Sequence, residues 1–88
     1  MATAAQTMAD VMAGAGVEYV FGIPGGATGQ IYNALYDKRD RVKAVLARNE
    51  QGAAIMADAY GRATGKPAVV MGQGLFIGSN AAFGIMEA

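Results

Sequence analysis

Three short apolar runs, residues 18–22, 42–47 and 68–71, alternate along this chain with segments of helical periodicity. No other feature constrains the fold as much. Each run is rich in β-branched, aromatic or small apolar residues and ends at a break: Ile23-Pro24-Gly25-Gly26, Arg48-Asn49, and Gly72-Gln73-Gly74. The runs do not alternate polar with apolar, as expected of strands covered on both faces. Strand–helix alternation then gives an α/β fold, a parallel sheet with helices on both faces, built from about three strands and four helices.

The helices are expected at residues 4–15, 28–36, 50–64 and 79–87. In the first, Ala5, Met8, Val11 (with Met12) and Ala15 make an apolar stripe, Thr3 is a candidate N-cap, and Gly14 or Gly16 a stop. In the second, Ile31, Ala34 and Leu35 point inward. Gly52, Ala53, Ala57 and Gly61 give the third a small-residue face, and Gly65 ends it. Ser79 or Asn80 is a candidate cap for the fourth. Met8, Met12, Met56, Met71 and Met86 fall mostly at positions expected in the core.

At 88 residues the chain suits one small domain or part of a larger one. Its 53% apolar and 16% charged residues leave little polar surface to cover an isolated globule. The expectation is a buried fragment or an oligomer, with the isolated chain poorly stable or self-associating. Net charge is zero and Lys and Arg are scattered, which argues against nucleic acid and anionic membranes as partners. Without Cys there is no disulfide framework or thiolate metal site. No basic signal region or long apolar span is present, so the chain is expected to be cytoplasmic.

Glu50 is the leading candidate for chemistry. The chain has no His and no Cys, so few side chains remain for acid–base work. A carboxylate after a strand and at the start of a helix stands where open α/β sheets bind ligands, and the helix dipole favours it there by roughly 0.3–1 kcal/mol. A Glu at a helix start also commonly does no more than satisfy backbone amides. Gly25 and Gly26 allow close backbone approach or positive φ, and the helix start after them offers amides to an anion; a tight turn needs the same glycines. Gln73, Ser79 and Asn80 form a third candidate group. All three loops leave one edge of the sheet, and that convergence points to a ligand site more than any single loop does.

Taken together, these segments resemble the N-terminal pyrimidine-binding (PYR) domain of thiamine-diphosphate-dependent enzymes, most closely the acetolactate synthase large subunit. The resemblance rests on Gly16-Val17-Glu18-Tyr19-Val20-Phe21-Gly22-Ile23-Pro24-Gly25-Gly26-Ala27, on Arg48 to Ala54, and on Met56-Ala57 with Ala59-Tyr60-Gly61-Arg62-Ala63-Thr64-Gly65-Lys66-Pro67. It covers the chain nearly end to end and is specific to the superfamily, less so to one reaction. It implies that thiamine diphosphate is the cofactor and that Glu50 bonds N1′ of its aminopyrimidine, favouring the imino tautomer whose nitrogen takes the thiazolium C2 proton. Pro24, Gly25, Gly26, Gln73 and Asn80 are the implied cofactor-binding residues. It further implies a 2-oxo acid substrate such as pyruvate, and a homodimer or tetramer for the full-length protein.

The sequence departs from the acetolactate synthase pattern in three ways. Asn49 stands where those enzymes usually have His. The segment from Gln73 to Asn80 replaces their Thr-Ser-Gly-Pro-Gly-Ala-Thr-Asn, keeping only the closing Asn. A Gln in this loop is a little like phosphonopyruvate and sulfopyruvate decarboxylases. Finally, residues 1–88 cover the N-terminal part of a PYR domain, without the Gly-Asp-Gly domain that holds Mg²⁺ and the diphosphate in the family. The chain alone is therefore expected to be inactive. FAD, which acetolactate synthases bind, has no residue here that speaks for it. The other readings are a non-catalytic PYR-fold module and an unrelated anion-binding α/β domain.

Overall fold

The computed structural model describes residues 3–26, 28–73 and 78–88. Ala27 and the segment Gly74 to Ile77, both part of the motifs above, lie outside the described residues. Strands β1 (Tyr19–Gly22), β2 (Lys43–Leu46) and β3 (Val69–Met71) form one parallel sheet in the order β2-β1-β3. The helices are α1 (Ala4–Gly14), α2 (Gly29–Tyr36), α3 (Glu50–Thr64) and α4 (Ala82–Glu87). Residues 78–80 are also helical, one segment more than the four expected. The strands are shorter than the apolar runs, yet the pairing extends past them: Lys43 N–H donates to Glu18 O at 2.8 Å and Ala47 N–H to Gly22 O at 3.0 Å.

Side chains alternate across a strand, so each strand feeds two layers. Val20 and Met71 pack with Val17, Ala34, Leu35 and Val42 and with Ala9 and Ala13 of α1. On the opposite face Phe21 packs with Ala47 and Ala53, joined by Tyr19, Val45, Val70, Ala57 and Tyr60. Helices α1 and α2 thus cover one face and α3 the other, and α4 lies against α3. Small residues allow that outer contact. A Cβ on Gly84 would come within 2.6 Å of the Ala54 Cβ, so only glycine lets α4 approach this closely.

Three details differ from the sequence reading. Helix α1 starts as expected, with Thr3 and Gln6 in a reciprocal capping box. However, its buried side is Ala9 and Ala13, flanked by Ala5 and Met12, while Met8 and Val11 are exposed. A helix rich in Ala and Met is apolar nearly all round, so hydrophobicity alone does not set its phase. The small alanines win because they allow closest approach. Met71 is buried and Met12 packs on the core, but Met8, Met56 and Met86 are exposed. Helix α4 is not capped by Ser79 or Asn80: its N-cap is Ala81, without a side-chain bond.

Helix α3 runs back across the sheet and is held at both ends. At its start the Asn49 side chain accepts from Gly52 N–H at 2.8 Å. At its end Gly65 takes the left-handed conformation (φ 70°) and donates to Gly61 O. Near that end the Tyr60 hydroxyl donates to Glu18 Oε1, and Lys66 Nζ reaches the same oxygen at 3.2 Å. The Tyr60 ring meets Tyr19 edge-on at 5.2 Å. Among the described residues no further strand pairs with β2 or β3, and Leu46 on β2 is 72% exposed.

Two predictions follow from how α3 is held. Replacing Asn49 with Ala should cost about 1 kcal/mol, the usual value of an N-cap, read as a lower denaturant midpoint at unchanged m. The Tyr60 hydroxyl, helped by Lys66, holds Glu18 below its ordinary 4.5. The same bond pushes Tyr60 above its ordinary 10.0, with burial adding. A lowered acid stabilises above its unfolded value and loses that contribution as pH falls through the folded one; a raised phenol stabilises below 10.0 and loses it as pH rises. Stability should therefore be flat between these limits and fall on both sides. Glu18→Gln should flatten the acid slope in part, and Tyr60→Phe should flatten the alkaline one in part, since the Tyr32 hydroxyl is raised by burial as well. An acid slope unchanged in Glu18→Gln would show that the pair does not hold α3.

Candidate functional site

The carboxyl ends of all three strands lie on one edge of the sheet. The chain after β1 enters α2 on one face, whereas α3 after β2, and α4 after β3, lie on the other. Such a reversal opens a crevice at the strand ends beside β1, the usual ligand position in open α/β sheets. Pro24, Gly25 and Gly26 stand in the first loop, Glu50 follows the second and Gln73 and Asn80 the third, so the fold brings all six candidate residues to this edge.

The first and third loops touch through Gly25 and Gln73. A Cβ on Gly25 would collide with the Gln73 side-chain amide. Among the described residues, nothing would come within 4 Å of a Cβ on Gly26. Neither has positive φ; among the described residues only Gly16 and Gly65 do. The freedom these two glycines supply is therefore space and not a left-handed turn. Gly25 N–H donates to Thr28 Oγ1 at 3.0 Å, which pins the loop at the entry to α2.

The second and third loops meet at Glu50. Asn80 Nδ2 donates to Glu50 Oε1 at 3.0 Å. Glu50's carboxylate is held below the ordinary carboxylate range, first by Asn80 and then by its own backbone N–H, with partial burial opposing. The cap of α3 falls to Asn49, so Glu50 is not consumed by it. Asn49, which replaces the usual His, does work at this position that a short amide side chain suits.

Two residues were missed by sequence reasoning. Thr28 is a buried polar side chain whose hydroxyl closes the first loop on itself. The Tyr32 hydroxyl is buried without a partner among the described residues, and burial pushes its titration up. It stands by Gly22, where a Cβ would lie 2.8 Å from the Tyr32 oxygen. Its place one residue after the inward Ile31 was the only available signal. A concavity of about 590 Å³ lies elsewhere, along β3 and the Ala54-to-Arg62 flank of α3, and includes none of the six residues. Among the described residues the candidate site is an edge of the sheet.

The donor set can be tested against a thiamine cofactor. Glu50 offers a carboxylate to a ring nitrogen, Gly26 offers room, and the Tyr32 hydroxyl is a buried polar group in need of a partner. The three loops carry one cation, Arg48, and it is exposed, which is too little for a diphosphate. The residues fit the aminopyrimidine end of the cofactor only.

Residues 2–88 match the model of the family described as thiamine pyrophosphate enzyme, N-terminal TPP binding domain. The chain is 43% identical to acetolactate synthase of Bacillus subtilis (strain 168) over 84 residues, which is 96% of this chain and 14% of that protein. It is 49% identical to the acetolactate synthase isozyme 2 large subunit of Escherichia coli (strain K12) over 65 residues, 74% of this chain and 12% of that one. It is also 46% identical over 67 residues to a Pseudomonas aeruginosa protein named "Probable 2-ketoarginine decarboxylase AruI", covering 76% of this chain and 12% of that protein. The chain thus spans about a seventh of the relatives it matches. With its parallel α/β sheet and a family match running from residue 2 to 88, the chain belongs to the N-terminal TPP-binding domain family of the thiamine pyrophosphate enzymes.

Proposed function

We propose that this chain forms the N-terminal part of a pyrimidine-binding domain in an enzyme that joins or decarboxylates 2-oxo acids such as pyruvate, in the manner of the acetolactate synthases. The observation that carries this reading is Glu50, ionised at the strand-end edge and held by Asn80, within a family whose members use thiamine diphosphate. When bound, the cofactor supplies the electron sink for carbon–carbon bond cleavage and formation.

This chain's residues do the rest on the pyrimidine side. Glu50 accepts or shares a proton at the ring nitrogen, a role open to a carboxylate whose own donors are N–H groups and not a strong cation. Pro24, Gly25 and Gly26 shape the loop that lies against the ring, with Gly26 leaving space for it. Gln73, packed on Gly25, keeps that loop in place. Mg²⁺ and the diphosphate need cations and carboxylates from outside these loops. The open edge supports a site completed by another part of the protein or by a second subunit. Among the described residues no helix is long and apolar enough to cross a membrane.

A second reading, decarboxylation without carboligation, is supported by Gln73 in the third loop and by the similarity to the Pseudomonas protein named as a decarboxylase. Product analysis with pyruvate separates the two, since only the carboligase yields a new carbon–carbon bond.

The central test is Glu50→Gln in the protein that carries this segment. It should lower cofactor-dependent turnover by about 10²–10⁴-fold, the usual contribution of a general acid–base group, with the fold intact. Turnover close to wild type would remove Glu50 from the chemistry.

A further inference from the structure

Thirty residues separate Glu50 from Asn80; Glu50 opens α3 after β2 and Asn80 follows β3, the two edge strands on either side of β1. Their hydrogen bond therefore ties together the segments that follow the two edge strands. An ionised carboxylate only accepts, so the Asn80 amide must present its NH₂ to it and not its oxygen. Glu50's own backbone N–H is the second donor. Asn49 supplies the acceptor for Gly52 N–H, which removes the demand that α3's first turn would otherwise make on Glu50.

Charges do not orient this carboxylate. Among the described residues Glu50 forms no ion pair. The charged groups on elements packed against α3 lie toward its other end. Glu18 and Lys66 meet at Tyr60, and Arg62 bonds Asp58 and the Glu87 carbonyl. Asp58, the nearest of these along the helix, is about 12 Å from Glu50 by helical rise. Arg48, two residues before Glu50, is exposed.

We propose that Asn80 is a positioning residue for Glu50, its amide fixing Oε1 so that the carboxylate faces the ring-binding edge in one orientation. This rests on the reading of Glu50 given above and deepens it: Asn80 acts on the carboxylate and not on the cofactor. A neutral amide suits the task. It stabilises the ionised form, as a charged partner would, but less strongly, and so leaves the carboxylate able to take up a proton at a bound ring.

The experiment titrates the Glu50 carboxyl carbon by isotope-edited NMR in the cofactor-free protein, for wild type, Asn80→Ala and Asn80→Asp. The midpoint should rise in Asn80→Ala, which lacks the donor, and rise further in Asn80→Asp, where two carboxylates share one site. The Asp variant is nearly isosteric and exposed, so its folding is not at issue. In the loaded enzyme kcat should fall roughly tenfold or more in Asn80→Ala, with cofactor Kd near wild type. An unmoved Glu50 midpoint in both variants overturns the proposal. So does weakened cofactor binding without a change in titration, which would make Asn80 a direct ligand. Wild-type turnover in Glu50→Gln would instead overturn the underlying role of Glu50, even with the Asn80 titration shifts in place.

Discussion

The structure depends on how closely α3 lies on the sheet. Toward its start its inner side is alanine, with Ala53 fully buried against Phe21 and Ala57 beside it, and Tyr60 fills the space farther along. Ala54 repeats the device outward, where glycine alone at position 84 lets α4 dock. Close packing of this kind fixes the helix along its axis as well as in height. Tyr60 and Glu18 lock one end, and Asn49 closes the other. The position of Glu50 is the consequence: the first residue of a rigid helix, delivered to the edge where all three strand-end loops meet.

The strand order explains why those loops cooperate. Helix α3 carries the chain from β2 to β3 across β1, so the two edge strands send their exit loops to the same face. Glu50 and Asn80, which follow the two edge strands, then meet, while Gln73 reaches the loop after β1 at Gly25. One loop, the third, braces both others. This arrangement accounts for a site built from residues distant in sequence. In the proposed enzyme this chain would supply one carboxylate, and the cations that a diphosphate needs would come from outside these loops.

Much of this was legible in the sequence because local signals agreed with one another. The breaks after each apolar run, the αL stop at Gly65 and the helix beginning at Glu50 gave element types and the parallel α/β class. The phase of α1 was not legible, because Ala, Met and Val surround it and only packing chooses among them. The exposed Met8, Met56 and Met86 were misjudged for the same reason, since apolarity does not report which side faces the sheet. At the site, Glu50 stood out by elimination in a chain without His or Cys. The Asn80 contact and the buried Tyr32 hydroxyl did not, because both arise from tertiary placement with no spacing rule behind them.

The central claim is that Glu50 acts on the aminopyrimidine of a bound thiamine cofactor. The most direct measurement is the rate of hydrogen–deuterium exchange at the cofactor's thiazolium C2, followed by NMR with the protein that carries this segment, before any substrate is added. Exchange in wild type should be far faster than for the free cofactor, and Glu50→Gln should lose most of that acceleration while still binding the cofactor. Equal exchange in wild type and Glu50→Gln, with equal cofactor occupancy, would contradict the account.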